Sequence, residues 1–197
     1  MVKVNILIAG IGGQGIITLG KILANAALNA GLKAIVAETH GLAQRGGAVN
    51  VHVRIGDKVY APLIPFGEAD YLLGLEAMEV LRNINYASKY KTVIIINKSI
   101  IRPVLPKVKV LNFEEIDKKL NGFKKIWISA NEIAENTKNP RGVNIAVLGF
   151  LIGLGAFKDL ISEEHFLNVI KGEENKRTFL EAIKFAHSYE LHHPLMQ

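Results

Sequence analysis

The chain has 197 residues, about half of them apolar, and it contains no cysteine. The missing thiols exclude disulfides, thiolate nucleophiles and cysteine-ligated zinc or iron–sulfur clusters on this chain. Its 24 Lys and Arg outnumber its 18 Asp and Glu, for a formal net charge of +6. These cations are spread along the chain without interleaved aromatics, so we expect no nucleic-acid partner. The length predicts a single domain over residues 1–197.

The first three predicted elements are a strand, a helix and a second strand. Residues 2–9 form a short apolar run ending at Gly10, which is typical of a buried strand before a tight turn. From Gln14 the apolar residues recur at helical spacing until Gly31, and residues 33–38 read as a strand. This order predicts a right-handed crossover between adjacent parallel strands, the first unit of a doubly wound sheet.

An antiparallel hairpin is predicted next. In residues 49–55, Val and Ile alternate with Asn50, His52 and Arg54, and a Gly-Asp pair follows at 56–57. Period two with such a turn predicts a hairpin whose return strand is residues 58–62, with His52 facing solvent.

The remaining elements alternate again. We predict strands at 70–75, 91–97, 108–113 and 124–129, helices at 76–85 and 114–120, an apolar helix opened by Asn139 and Pro140 and running to Phe157, and helices from Ser162 and around 179–186. The apolar helix is too short to cross a bilayer, and the N-terminal residues lack the features of a secretory signal. We therefore expect a cytoplasmic protein with no membrane partner. The predicted fold class is α/β, a Rossmann-like doubly wound, mostly parallel sheet with an antiparallel hairpin insertion and C-terminal helices.

A glycine loop follows the first strand. Gly10, Gly12 and Gly15 stand in a G-x-G-x-x-G frame, with Gly13 and Gln14 at the variable positions. Backbone N–H groups and the helix N-terminus favour an anion there, and Glu38 is placed where a ribose-binding carboxylate would lie. The amide of Gln14 is unusual for a dinucleotide loop. Without any ligand, Gly10 could make the turn and Gly15 could permit close helix packing.

A second loop follows the second strand, beside the first. It contains a carboxylate, an imidazole, an amide, a guanidinium and three glycines: Glu38, His40, Gly41, Gln44, Arg45, Gly46 and Gly47. Arg45 could contact a phosphate or carboxylate on a ligand or on another chain. The alternative is a polar surface loop whose side chains cap backbone groups.

Together these stretches, "GIGGQGIITLGKILANAA" and "ETHGLAQRGGAVNVHVRIG", resemble the small (beta or gamma) subunit of 2-oxoacid:ferredoxin oxidoreductases. The second stretch is most similar to the beta subunit of the indolepyruvate branch. The likeness extends to the chain length and to the glycine-rich helix that contains Asn144.

The resemblance implies a division of labour between subunits. In such enzymes a large alpha subunit holds thiamine diphosphate, Mg and iron–sulfur clusters, and electrons from the 2-oxoacid pass to ferredoxin as acyl-CoA forms. We therefore assign no catalytic residue to this chain. We expect no metal or cofactor on it, CoA as co-substrate, and an isolated chain that is inactive. Both loops are expected to face the large subunit and help to complete its active site.

Two other functions stay open from the sequence. One is a self-sufficient NAD(P)-dependent Rossmann oxidoreductase that uses Glu38 for the ribose. The other is a homo-oligomeric module that binds a nucleotide or CoA. The sequence also leaves open whether the isolated chain forms a homo-oligomer.

Overall fold

The computed structural model describes residues 3–41, 46–102 and 110–192. One six-stranded sheet lies at its centre, in the order β2-β3-β1-β4-β5-β6. The strands are β1 (Lys3–Ile11), β2 (Ala34–His40), β3 (Ala48–Gly56), β4 (Tyr71–Gly74), β5 (Val93–Asn97) and β6 (Lys124–Ile128). The helices are α1 (Ile16–Asn29), α2 (Ala77–Arg82), α3 (Phe113–Lys119), α4 (Ala130–Asn136), α5 (Val143–Gly153), α6 (Glu163–Val169) and α7 (Glu173–His192), with a 3₁₀ turn at Ile84–Tyr86.

Five of the six strands run in the same direction. β4 pairs parallel with β1 and with β5, and β5 pairs parallel with β6. β3 runs the other way and pairs antiparallel with both β1 and β2. The predicted fold class, a Rossmann-like and mostly parallel α/β sheet, is therefore confirmed.

The predicted hairpin is wrong in its pairing. Residues 58–62 form no strand, and β3 lies between β1 and β2. The prediction that β1 and β2 are adjacent is therefore also wrong. The physical reason is that both faces of β3 are covered. His52 is fully buried and Arg54 nearly so. The Arg54 guanidinium donates to Asn5 Oδ1 and His52 Nδ1 accepts from the Ile64 N–H, while His52 Nε2 has no hydrogen-bond partner among the described residues. Alternating polarity here marks two different interiors, not one interior and solvent.

Two predictions in the second half also differ from the structure. Of the predicted strand at 108–113, residues 108 and 109 lie outside the described residues, 110–112 are not strand, and Phe113 begins α3. A capping box between Asn112 and Glu115 begins that helix. The apolar helix begins at Val143 and ends at Gly153, with Gly142 as its N-cap, because the Asn139 side chain bonds to Asn175 and Thr178 instead. Helix α4 has no counterpart in the prediction.

Helices cover both faces of the sheet. Ile6 and Ile8 of β1 face a core shared with α1, α5 and α7, whereas Leu7 and Ala9 face a second core shared with α2 and α3. α5 packs closely on α7, since a Cβ placed on Gly149 would lie 2.4 Å from the carbonyl oxygen of Phe179. The apolar stretch is thus a core helix. None of the described helices combines the length and hydropathy needed to span a bilayer.

Candidate functional site

The glycine loop lies at the carboxyl end of β1, where the sheet changes its winding direction. From β1 the chain crosses through α1 to β2 on one side, and from β4 it crosses through α2 to β5 on the other. Doubly wound folds bind their ligands in the crevice at this position. Gly13 and Gly15 have φ of 103° and 75°, values that glycine adopts without strain.

Gln14 ties the loop to its surroundings. Its Oε1 accepts a hydrogen bond from the Ile11 N–H at 2.8 Å, and its Nε2 donates to the Leu75 carbonyl oxygen at 3.3 Å. Leu75 follows β4, so the Gln14 side chain spans the crevice between β1 and β4. A Cβ at Gly10 would lie 2.7 Å from Gln14 Oε1. The side chain therefore occupies the crevice and fixes the loop from within.

Asn144 holds the loop from the other side, a role that the sequence analysis did not assign. Its Nδ2 donates to the Gly15 carbonyl oxygen at 3.1 Å, and the residue is almost fully buried. A lone amide in the first turn of an otherwise apolar helix is the signal that could have found it. The N-cap of α1 is Gly15, and no side chain from the described part of the protein makes a capping hydrogen bond there. Its first turn is consequently suited to an anion.

A cleft of about 1010 Å³ opens beside this turn. The glycine loop from Gly13 to Gly15 forms one wall, and the starts of α5 and α7 form others. Among the described residues, its charged side chains are three cations and one carboxylate: Lys21, Arg141, Lys171 and Glu174. The amide side chains among its described lining residues are Gln14, Asn25, Asn97, Asn131, Asn139, Asn144 and Asn175. This lining suits a polar ligand that carries negative charge.

A smaller cavity, of about 490 Å³, lies on the β2 side of the loop. Its lining brings together Gly12, Gly13 and Gly15 with Ile16, Ile17, His40 and Val49. The register explains this proximity, because Gly10 pairs with Val49 and Val49 pairs with His40 across three strands. The two predicted loops also bond directly, since the Gly12 N–H donates to the Gly47 carbonyl oxygen at 2.9 Å.

The other predicted site residues are distributed as follows. Glu38 is exposed, pairs with Val51, and is not part of the lining of either cavity. Gly41 and Gly46 are exposed. Gln44 and Arg45 lie outside the described residues. The structure thus joins the glycine loop with His40 and Gly47, but it keeps Glu38 apart from the cavities.

Two buried carboxylates follow β4, next to the crevice. Glu76 Oε2 accepts from the Glu79 N–H at 2.8 Å, and Glu76 Oε1 accepts from the Ile101 N–H at 3.1 Å. Burial raises the pKa of Glu76, against the lowering effect of these N–H groups. Burial also raises the pKa of Glu79, which pairs with Arg82. Glu76 begins α2 and holds residue 101, so its oxygens are used in positioning the chain.

Within residues 3–41, 46–102 and 110–192, no three His, Asp or Glu side chains are grouped so that they could hold a metal ion.

Comparison with known proteins identifies the family. Residues 5–186 match the family described as pyruvate ferredoxin/flavodoxin oxidoreductase. The chain is 42% identical over 156 residues to indolepyruvate oxidoreductase subunit IorB of Archaeoglobus fulgidus, covering 77% of each chain. It is 38% identical to the subunit of the same name from Pyrococcus horikoshii, over 87% of this chain and 86% of that one.

Solved structures share the fold at lower identity. The gamma subunit of a keto/oxoacid ferredoxin oxidoreductase from Geobacter sulfurreducens superposes with a TM-score of 0.69 at 21% identity, over 94% of this chain and 99% of that one. The 2-oxoglutarate:ferredoxin oxidoreductase of Magnetococcus marinus, with 2-oxoglutarate, coenzyme A and succinyl-CoA bound, gives a TM-score of 0.73 at 22% identity. The match covers all of this chain but 32% of that one.

The fold and its glycine loop thus define a doubly wound subunit of the 2-oxoacid:ferredoxin oxidoreductase type. The chain belongs to the pyruvate ferredoxin/flavodoxin oxidoreductase family. The resemblance stated from the sequence is confirmed, including its similarity to the indolepyruvate branch.

Proposed function

We propose that this chain is the small subunit of a heteromeric, thiamine-diphosphate-dependent 2-oxoacid:ferredoxin oxidoreductase acting on indolepyruvate or a related aryl pyruvate. The complex converts the 2-oxoacid, CoA and oxidised ferredoxin into acyl-CoA, CO₂ and reduced ferredoxin. Thiamine diphosphate, Mg and the iron–sulfur clusters belong to the large alpha subunit, and the isolated chain is inactive. The relatives' names and the family match support this assignment.

The observation that carries the proposal for this chain's own residues is that the first turn of α1 opens on the cleft without a side-chain cap from the residues that the structure describes. We infer that the cleft receives the phosphate-bearing part of CoA. Lys21 and Arg141 supply positive charge, and Asn144 keeps the turn in place. A ligand of CoA's size requires a cavity of several hundred cubic ångströms or more, which the cleft of about 1010 Å³ provides.

The smaller cavity and the 38–47 loop are the second part of the proposal. His40 and the glycine loop converge there, and Gln44 and Arg45 belong to the same connection between β2 and β3. We assign this connection to the edge of the large subunit's active site.

A dinucleotide is less well supported. The Gln14 amide spans the crevice between β1 and β4. The carboxylate that would hold a ribose, Glu38, is exposed and lines neither cavity. An NAD(P)-dependent enzyme would need both features to be rearranged.

Ligand binding to the isolated chain tests the role of the cleft. Thermal unfolding is followed with CoA, NAD or NADP, since a ligand at 100 times its Kd adds about 2.7 kcal/mol of stability. CoA should raise the Tm, and Lys21→Ala/Arg141→Ala should weaken CoA binding at least tenfold. Lys176→Ala/Lys184→Ala is the matched control, because both of its lysines lie on α7 outside the cleft. A shift with NAD and none with CoA would favour the dinucleotide alternative.

Reconstitution tests the assignment to a complex. Ferredoxin reduction by indolepyruvate and CoA should require both this chain and the large subunit, and neither subunit should suffice alone. Full activity of the large subunit without this chain would contradict the proposal.

A further inference from the structure

An apolar surface lies away from the cleft, on the segment between β3 and β4. Residues 60–66, YAPLIPF, contain no charged side chain in a chain that has 42 charged residues, 24 basic and 18 acidic. Six of the seven are exposed, and the three large apolar side chains among them are Tyr60 at 79%, Leu63 at 51% and Phe66 at 70%. We call these three side chains the apolar platform. None of them lines the cleft or the smaller cavity.

The platform is held rigidly from below by the buried polar side chains of β3. Arg54 donates from its Nη1 to the carbonyl oxygens of Ala61 at 2.7 Å and Leu63 at 3.1 Å, and from its Nε to Asn5 Oδ1 at 3.0 Å. The Nδ1 of His52 accepts from the Ile64 N–H at 3.2 Å. A buried guanidinium and a buried imidazole are thus used to fix the backbone of an exposed loop.

Apolar anchors complete this support. Val59 and Ile64 point inward and are almost fully buried, while their neighbours Tyr60 and Leu63 point outward. The ring of Phe66 packs against Tyr86 with centroids 4.8 Å apart. A surface ordered in advance loses little conformational entropy when a partner binds.

The exposed apolar area of the platform is substantial. Since one aromatic side chain presents about 150–250 Å², the platform exposes roughly 300–400 Å². That is the size of the largest apolar patch on a typical soluble monomer, and such patches often have a function. A stable interface buries about 800 Å² on each partner, so the platform supplies close to half of one side. The half-exposed face of β2 that carries Ile35 and Ala37 lies on the same side of the sheet.

We propose that the apolar platform is a docking surface for the large subunit. The proposal rests on the proposed function, which makes this chain part of a permanent complex. Permanent interfaces are apolar and poor in charge at their centre, as this segment is. A second copy of the chain is disfavoured because each copy carries a net charge of +6. In the Magnetococcus marinus protein, the matching fold is 32% of a longer chain, so there it is joined to further polypeptide.

Serine substitutions test this surface with a matched control. Tyr60→Ser/Leu63→Ser removes two platform side chains, and Tyr90→Ser/Leu191→Ser removes the same two residue types at sites that are 93% and 84% exposed. Each variant of the full chain is titrated with the purified large subunit, and its Tm and CoA affinity are measured alone. We expect the platform variant to bind the large subunit at least tenfold more weakly. Its Tm and CoA affinity should stay unchanged, and the control should bind like wild type.

The other outcomes overturn the inference in distinguishable ways. If the platform variant binds the large subunit within twofold of wild type, the surface assignment is wrong while the proposed function stands. If the wild-type chain alone forms a dimer that the platform variant loses, the occupant is a second copy. If the wild-type chain does not bind the large subunit at all, the proposed function fails, and this inference fails with it.

Discussion

The side chain of Asn144 donates a hydrogen bond to the carbonyl oxygen of Gly15, joining the first turn of α5 to the N-cap of α1 at 3.1 Å. Replacing Asn144 by Ala should remove this bond and cost about 1 kcal/mol of unfolding free energy. The free energy of CoA binding to the isolated chain should weaken by more than the free energy of unfolding does, because Asn144 no longer holds the anion-binding turn in place. Asn85→Ala, at an exposed asparagine outside the cleft, is the control. If Asn144→Ala binds CoA as tightly as the wild type, the hydrogen bond between Asn144 and Gly15 does not contribute to CoA binding.

Gly15→Ala should destabilise the chain for two reasons that a matched glycine separates. Gly15 and Gly31 both have left-handed backbone, with φ of 75° and 79°. A Cβ at Gly15 would lie 2.5 Å from Asn144 Nδ2, whereas a Cβ at Gly31 would meet nothing within 4 Å. Gly31→Ala should therefore cost only the backbone strain of about 1–2 kcal/mol, and Gly15→Ala should cost clearly more in denaturant unfolding. Combining Gly15→Ala with Asn144→Ala should recover part of the difference.

Gln14→Glu distinguishes the two hydrogen bonds of that side chain. A carboxylate can still accept from the Ile11 N–H, but it cannot donate to the Leu75 carbonyl oxygen, and two acceptors then face each other across the crevice. We expect a lower Tm for Gln14→Glu, measured calorimetrically above pH 7. Lys176→Ala, on α7 away from the crevice, should leave the Tm nearly unchanged. A Tm equal to wild type in Gln14→Glu would show that the Leu75 bond contributes little.

His52 should make stability depend on pH. Burial lowers the pKa of His52 from its usual 6.5, and the charge of Arg54 lowers it further. Because the native imidazole stays neutral while the unfolded one binds a proton, its contribution is complete above pH 6.5 and is lost as the pH falls towards the native pKa. His52→Asn keeps an acceptor for the Ile64 N–H, so it should reduce the loss of unfolding free energy as the pH falls below 6.5. His187→Asn, at an exposed position, should leave the slope unchanged.

Arg45→Ala should depress 2-oxoacid oxidation in the reconstituted complex by at least tenfold. The expectation follows from the guanidinium's ability to bind a phosphate or carboxylate at two points. Lys184→Ala, a charge change on the surface of α7, is the comparison. Ferredoxin reduction and complex formation are both measured. If neither differs from wild type, the proposal for the 38–47 connection is wrong.

The order of the elements could be predicted from the sequence, but the position of β3 could not. Strand, glycine turn and helix have clear local signals, and so does the capping pattern at Ser162. The place of a strand within a sheet depends on contacts between distant residues. In the sequence, Asn50, His52 and Arg54 resemble the solvent-facing side of a hairpin. In the structure they form hydrogen bonds with Asn83, Ile64 and Asn5, respectively.

The sequence predicted where the candidate site lies in the fold better than it predicted which residues line the site. The G-x-G-x-x-G frame marks the carboxyl end of β1, and the structure places His40 and Gly47 beside it. Asn144 and Arg141 come from a region more than 120 residues further along the chain, where no local pattern points back to the loop. The spacing of Glu38 from the glycine loop is that of a ribose-binding carboxylate. However, β3 lies between β1 and β2, so β2 is at the edge of the sheet and Glu38 is separated from the glycine loop.

The hydrogen bond between the Gly12 N–H and the Gly47 carbonyl oxygen links the glycine loop directly to the start of β3. Through this bond, a contact that displaces the connection between β2 and β3 also displaces the turn that precedes α1. Docking of another polypeptide against His40 would therefore shift the glycine loop on its opposite side, where it lines the cleft that contains Lys21 and Arg141. By reciprocity, a ligand bound in that cleft would change the affinity for the docked polypeptide by the same factor.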